Sequence, residues 1–224
     1  MPMNEHIWPE GLWVRPARQE NAPCIVLLHG LGASKEDLMP LSEHMDPEKQ
    51  FRWVIPDAPE QAVTLNAGRK MRAWYDIYGL GQDSEEDAAG MQRMGQRLAL
   101  LLDHEKADGQ PLILGGFSQG GAMSLYLALH QVYPLAAVLA LSAYLPLRQK
   151  LPRAQKPIPI FWGHGRSDPV LPLQYMEIAQ QLLESEGYVL STHTYPMDHH
   201  ICADELADAR QFLDNILLDN KVTS

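Results

Sequence analysis

The chain has 224 residues, 46% of them hydrophobic and 21% charged, which is globular composition rather than that of a disordered segment. Lys and Arg number 18 against 28 Asp and Glu, a net charge of −10, and this balance argues against a nucleic-acid binder and against electrostatic docking on an anionic membrane. Two cysteines, Cys24 and Cys202, make no disulfide framework. The first eleven residues carry neither the basic segment nor the apolar run of a signal peptide, so a cytoplasmic protein is expected. The longest apolar runs, such as 136–141, are far too short to cross a bilayer, so no stable membrane anchoring is expected.

Short apolar runs alternate with longer amphipathic ones. Cys24-Ile-Val-Leu-Leu-His29 is short, apolar and rich in branched side chains, the signature of a strand buried on both faces. Ser34 then caps a helix reaching Met45, and 52–55 is the next strand, stopped by Pro56. Residues 57–83 show no clear period. That is long for a connection, and long loops in compact domains are often functional. Ser84-Glu-Glu-Asp87 resembles a capping box and opens the longest helix, which runs to about Lys106 with Met91, Met94, Leu98, Leu101 and Leu102 as its core stripe. Residues 111–115 are a strand, 119–132 a helix, and 136–141 and 158–162 strands. Residues 172–186 are a helix with Pro172 in its first turn, 189–195 the last strand and 202–218 the closing helix. Strand and helix alternate with short connections. The expected class is therefore α/β with a mostly parallel sheet, in one domain spanning 1–224.

The chemistry sits in Gly116-Phe-Ser-Gln-Gly120. This is a G-x-S-x-G string that follows a predicted strand and opens a predicted helix. A serine on such a turn stands out from the carboxyl end of the sheet, and the glycines leave room for the strand and helix to meet around it. The string lacks the Lys-Ser/Thr ending of a phosphate-binding loop and does not match G-x-G-x-x-G. Ser118 is therefore the candidate nucleophile, and the Gln119 N–H, at a helix N-terminus, is a candidate oxyanion donor. His29-Gly-Leu-Gly32 ends an earlier strand, and its Leu31 N–H is the second candidate donor.

Enzymes with this elbow order their triad as nucleophile, acid, histidine. Asp168 lies in the loop after the 158–162 strand, and His199 and His200 both lie after the 189–195 strand. Spacing does not separate the two histidines. His29 and His164, in Gly-rich turns beside the site, are expected to fix loops by hydrogen bonds. His6, His44, His104, His130 and His193 are read as surface or satisfied polar residues. No Cys/His cluster has metal-ligand spacing, so neither a metal nor an organic cofactor is expected.

With these residues in hand, the chain resembles the phospholipase/carboxylesterase family, which includes acyl-protein thioesterases and small bacterial carboxylesterases. The resemblance rests on His29-Gly-Leu-Gly32, Ile55-Pro-Asp-Ala-Pro59, Met71-Arg-Ala-Trp74-Tyr-Asp76, the 116–121 turn, His164-Gly165 with Asp168-Pro-Val170, and Met197 with His199. It implies an α/β-hydrolase fold without a large cap domain, and it places the base at His199, two residues after Met197. It also implies an acyl pocket near the 57–83 loop, walled by Met71, Trp74 and Tyr75 unless Trp74 is simply core. One departure is Asp198, where the family often has Gly; it is expected to face solvent. The implied activity is hydrolysis of short- to medium-chain carboxylic esters, acyl-thioesters or lysophospholipids through an acyl-enzyme. The alternative is a protein-depalmitoylating thioesterase. A non-catalytic binding protein on this fold would lack one of these groups, and none is missing. The implied partners are a small ester or acylated substrate and a second copy of the chain as a homodimer. In the absence of a cap, an open, shallow site is expected, with any lid drawn from 57–83 or 144–156.

Overall fold

The computed structural model describes residues 7–81, 83–107, 109–154 and 158–222. Seven strands form one sheet: β1 (Leu12–Arg15), β2 (Cys24–Leu28), β3 (Arg52–Pro56), β6 (Leu112–Phe117), β7 (Ala137–Leu141), β8 (Pro159–Gly165) and β9 (Val189–Tyr195). Two short strands between β3 and β6, β4 (Glu60–Val63) and β5 (Arg69–Arg72), pair only with each other. The order in the large sheet is β1-β3-β2-β6-β7-β8-β9, and every pairing is parallel except β1 with β3. Between the strands and after them run α1 (Lys35–Met45), α2 (Ala88–Glu105), α3 (Gln119–Leu129), α4 (Gln174–Ser185) and α5 (Ala203–Val222).

The continuous apolar runs become the buried parallel strands because side chains alternate between two cores. Cys24, Val26 and Leu28 of β2 face one core, with Leu112 and Leu114 of β6 and Ile160 and Trp162 of β8. Ile25, Leu27, Ile113 and Phe161 face the other. The first core is closed by α2, α3 and α4 through Met91, Leu98, Met123, Leu127, Met176 and Leu183. The second is closed by α1 and α5 through Leu38, Met45, Ala209 and Leu213.

The structure differs from the sequence-based expectation at several elements. The 57–83 segment, expected as an aperiodic loop, contains the antiparallel β4–β5 hairpin. Its strands are four residues long and mostly polar, which hides the period. Helix α2 starts at Ala88 with Asp87 as its cap, the Asp87 carboxylate accepting from the Gly90 N–H at 2.8 Å. Ser84 belongs to the preceding turn, its N–H donating to the Gly81 carbonyl. Helix α3 ends at Leu129, short of 132. β1 carries no sequence signal beyond Leu12-Trp-Val-Arg15 and packs at the sheet edge. Of the expected lid segment 144–156, residues 155 and 156 lie outside the described residues, as does His6.

Candidate active site

Ser118 follows β6 and caps α3 with φ 53° and ψ −117°. This is a positive-φ conformation that a non-glycine residue holds at a cost of about 1–3 kcal/mol. The Ser118 N–H donates to the Leu141 carbonyl of β7 at 2.9 Å, which pins the turn to the sheet. The glycines around it are a packing requirement. A Cβ on Gly116 would fall 2.4 Å from the Gly120 carbonyl carbon, and one on Gly120 would fall 2.1 Å from the Leu28 carbonyl oxygen. Only bare backbone fits between β2, β6 and α3.

His199, in the loop after β9, is brought to this turn. Its Nε2 lies 3.0 Å from Ser118 Oγ and its Nδ1 2.7 Å from Asp168 Oδ2. The Asp168 side chain is fully buried and that of His199 is 16% exposed. A proton on Nδ1 facing the carboxylate leaves Nε2 free to accept from the Ser118 hydroxyl. The other Asp168 oxygen accepts the Val170 and Leu171 N–H groups, both at 2.8 Å. The Phe117 ring stands 4.9 Å from that of His199. His200 points elsewhere, is half exposed and pairs with Asp198, itself largely solvent-facing.

Of the two oxyanion candidates, Gln119 follows Ser118 directly, and the turn that holds Leu31 approaches it, a Cβ on Gly30 falling 3.6 Å from Ser118 Cβ. Gln119 is the first residue of α3, where no intrahelical partner exists for its N–H. Leu31 lies in a turn closed by Ala33 N–H to the Gly30 carbonyl at 3.2 Å, and β5 holds that turn through the Gly32 N–H to the Arg72 carbonyl at 2.8 Å. His29 beneath it has a fixed tautomer. The Ala58 N–H donates to its Nε2 at 3.0 Å, so Nδ1 carries the proton and donates to the Gly30 carbonyl at 2.7 Å. Burial lowers the pKa of His29, and likewise that of His164, which contacts the Leu171 carbonyl through Nε2 at 2.8 Å. Both histidines tie loops, as their positions suggested.

Of the three expected pocket residues, Trp74 is buried in the core. Its Nε1–H donates to the His29 carbonyl at 2.8 Å and its ring stands 5.2 Å from that of His29. Met71 is half-buried, with its sulfur 3.6 Å from where a Cβ on Gly32 would stand. Tyr75 lines a cavity together with Tyr78, Tyr144, Leu171, Tyr175 and Leu182, between the 75–87 segment, the 144–148 segment and α4. Ser118, Asp168 and His199 do not line it. Two links connect it to the site: the Tyr75 carbonyl accepts from Gln119 Nε2 at 2.8 Å, and Leu171 donates its N–H to Asp168. The Tyr75 and Tyr144 hydroxyls meet at 2.5 Å, and burial raises both phenols above their ordinary pKa.

Two supports of the site carry no signal in the sequence pattern. The Gln119 side chain braces the 74–75 backbone, its Oε1 accepting the Trp74 N–H at 3.0 Å. Asp57, fully buried, accepts the Lys35 N–H at 2.8 Å and Lys35 Nζ at 2.6 Å, and lies 3.5 Å from Arg72 Nε, joining α1 to β5 behind the Leu31 turn. Asp57 stands in Ile55-Pro-Asp-Ala-Pro59, a segment singled out only through the family resemblance. Among the described residues no group of three or more His, Cys, Asp or Glu side chains could hold a metal ion.

A seven-stranded, mostly parallel sheet with a serine elbow after a central strand defines an α/β-hydrolase. The phospholipase/carboxylesterase family matches residues 10–217, and the chain belongs to that family, an enzyme of the serine-hydrolase type. Acyl-protein thioesterase 1 of Mycosarcoma maydis is 35% identical over 217 residues, which cover 86% of this chain and 90% of that protein. The protein of the same name from Neurospora crassa is 34% identical over 219 residues, covering 88% of each. The crystal structure of Zea mays acyl-protein thioesterase 2 superposes with a TM-score of 0.85 at 27% identity, covering 92% of this chain and 99% of that one.

Proposed function

We propose that this enzyme hydrolyses carboxylic esters and acyl-thioesters of short to medium chain length through an acyl-enzyme on Ser118. The observation that carries the reading is the continuous hydrogen-bonded line from Asp168 through His199 to Ser118. His199 takes the Ser118 proton as the hydroxyl attacks the carbonyl carbon. Asp168 orients the imidazole and stabilises the imidazolium, while the Leu31 and Gln119 N–H groups receive the oxyanion. His199 then returns the proton to the leaving alcohol or thiol. A water activated by the same imidazole releases the acid.

The cavity beside Tyr75, walled by side chains such as Leu171 and Leu182, supports an acyl subsite off the catalytic centre. Together with relatives named acyl-protein thioesterases, it favours depalmitoylation of protein as the second reading. No helix among the described residues is long and apolar enough to cross a membrane. Both cysteines are unpaired, and burial pushes the Cys24 thiol up to about 12, where it stays protonated. These features fit the proposed cytoplasmic location. The proposed homodimer is checked by light scattering.

Ser118→Ala is expected to lower kcat by about 10⁴-fold or more with the fold intact by circular dichroism. Wild-type turnover in that variant overturns the assignment. A p-nitrophenyl ester series run beside an acyl-thioester of equal length then separates esterase from thioesterase preference.

A further inference from the structure

Glu205 is a carboxylate in an unusual place. It lies in the first turn of α5 and is fully buried; among the described residues no side chain donates to either of its oxygens, and the one donor close to them is the Cys202 N–H just before the helix. The space it fills is made by Gly163. In the alternation of β8, Phe161 faces the α5 side of the sheet and residue 163 is the next position on that face. A Cβ there would fall 2.0 Å from Glu205 Oε1 and 2.8 Å from its Cδ. The carboxyl therefore lies flat on the glycine, where any other residue would place a side chain.

This contact joins β8 and α5, the two elements that adjoin the Asp168 and His199 loops. Beyond Gly163, β8 ends at Gly165 and the chain reaches Asp168 within a few residues. Back from Glu205, the chain reaches His199 within two turns' length of sequence. Besides the Asp168–His199 pair itself, these loops meet through backbone, with the Arg166 N–H on the Tyr195 carbonyl at 2.9 Å and the Ser167 N–H on the Met197 carbonyl at 3.1 Å. We propose that Glu205 is a positioning residue: its carboxyl, seated on Gly163, fixes the start of α5 against the end of β8 and so holds His199 in register with Asp168. The proposal rests on the hydrolase reading above.

The surroundings determine which form of the carboxyl does this. β8 presents Gly163, which carries no charge. From β9 comes Tyr195, whose hydroxyl donates to Asp208 of α5 at 2.8 Å, with His193 Nδ1 3.3 Å from the same carboxylate. Cys202 precedes the helix, and its N–H is the one group favouring the charged form. Desolvation dominates, and it raises Glu205 from 4.5 to about 8. No cation pairs with it among the described residues, so ionisation at alkaline pH puts an unpaired charge on the contact, and water can reach that charge only if the first turn of α5 lifts away.

The test measures kcat and KM on p-nitrophenyl butyrate, and Tm, from pH 5 to 9 for wild type, Glu205→Gln and Glu205→Ala. Truncation to Ala is expected to lower kcat at pH 7 about tenfold with KM within twofold of wild type, the size expected of a small misplacement of the base. Gln, which cannot ionise, is expected to restore kcat and to hold its plateau above pH 8, where the wild-type value falls. Wild-type kcat in the Ala variant, or an alkaline decline in the Gln variant matching wild type, overturns the proposal. If the Ala variant does not fold, the Gln comparison decides alone. If wild type hydrolyses no ester, the hydrolase reading has failed, and the buried carboxyl is judged by Tm: the lead of Glu205→Gln over wild type must widen from pH 5 to 8, and a constant difference overturns it.

Discussion

Ser118 can hold a strained backbone because its neighbours leave it no other. Its N–H is fixed to β7, and the backbone on both sides passes too close to β2 for a turn with side chains at 116 or 120. The same logic applies to Trp74. Its indole does not wait for substrate; its N–H holds the carbonyl of His29, which precedes the Leu31 turn, and its ring packs on the His29 imidazole. Trp74→Phe keeps most of the apolar contact but leaves the buried His29 carbonyl without this donor. We expect a loss of about 1–2 kcal/mol in urea denaturation together with a several-fold drop in kcat and little change in KM, since the proposed oxyanion turn loosens while the cavity proposed as the acyl subsite is untouched. Unchanged stability and kcat would show that the turn is held without the indole.

At the scale of elements, the elbow between β6 and α3 brings backbone against backbone too closely for a Cβ. Gly120→Ala forces a Cβ to within 2.1 Å of the Leu28 carbonyl oxygen, and a backbone atom cannot rotate aside as a flexible side chain can. A loss of about 3 kcal/mol is expected, read as a fall in Tm; a Tm within a degree of wild type would mean that β2 and α3 separate easily. This junction is legible in the amino-acid sequence because its constraint is local: glycine, serine and glycine at fixed spacing. The parallel strands are legible for a related reason, since burial on both faces writes a continuous apolar run such as Cys24-Ile-Val-Leu-Leu28. The β4–β5 hairpin is not, because Glu60-Gln-Ala-Val63 and Arg69-Lys-Met-Arg72 are short and mostly polar, and their polarity does not alternate. Ser118, Asp168 and His199 can be placed by chain order and loop position, with the family resemblance separating His199 from His200. Gln119 as a brace, Asp57 as an anchor and Glu205 beneath the base loop cannot, because each is defined by a partner far away in sequence: Trp74, Arg72 and Gly163.

Across the whole molecule, the buried titratable groups pull stability in opposite directions with pH. His29, His130 and His164 all have lowered pKa values, in each case first because burial penalises the charged ring. The unfolded chain binds protons at these positions from pH 6.5 downward while the folded one resists. Their contribution is therefore present above pH 6.5 and is lost as pH falls through the depressed folded values. Glu205 acts the other way. Its folded pKa of about 8 lies above the ordinary value of 4.5, so the folded state holds a proton that the unfolded state has released. Its contribution is present below pH 4.5 and is lost as pH rises toward 8. Below pH 6.5 three histidines oppose one carboxyl, and two of them, His29 and His164, hold the turns beside Leu31 and Asp168. Wild-type Tm is thus expected to fall on acidification from about pH 6.5 to about pH 5, and to fall further in Glu205→Gln, which lacks the opposing gain. A Glu205→Gln curve that stays parallel to wild type over that interval would show that the carboxyl takes up its proton equally in the folded and unfolded chain.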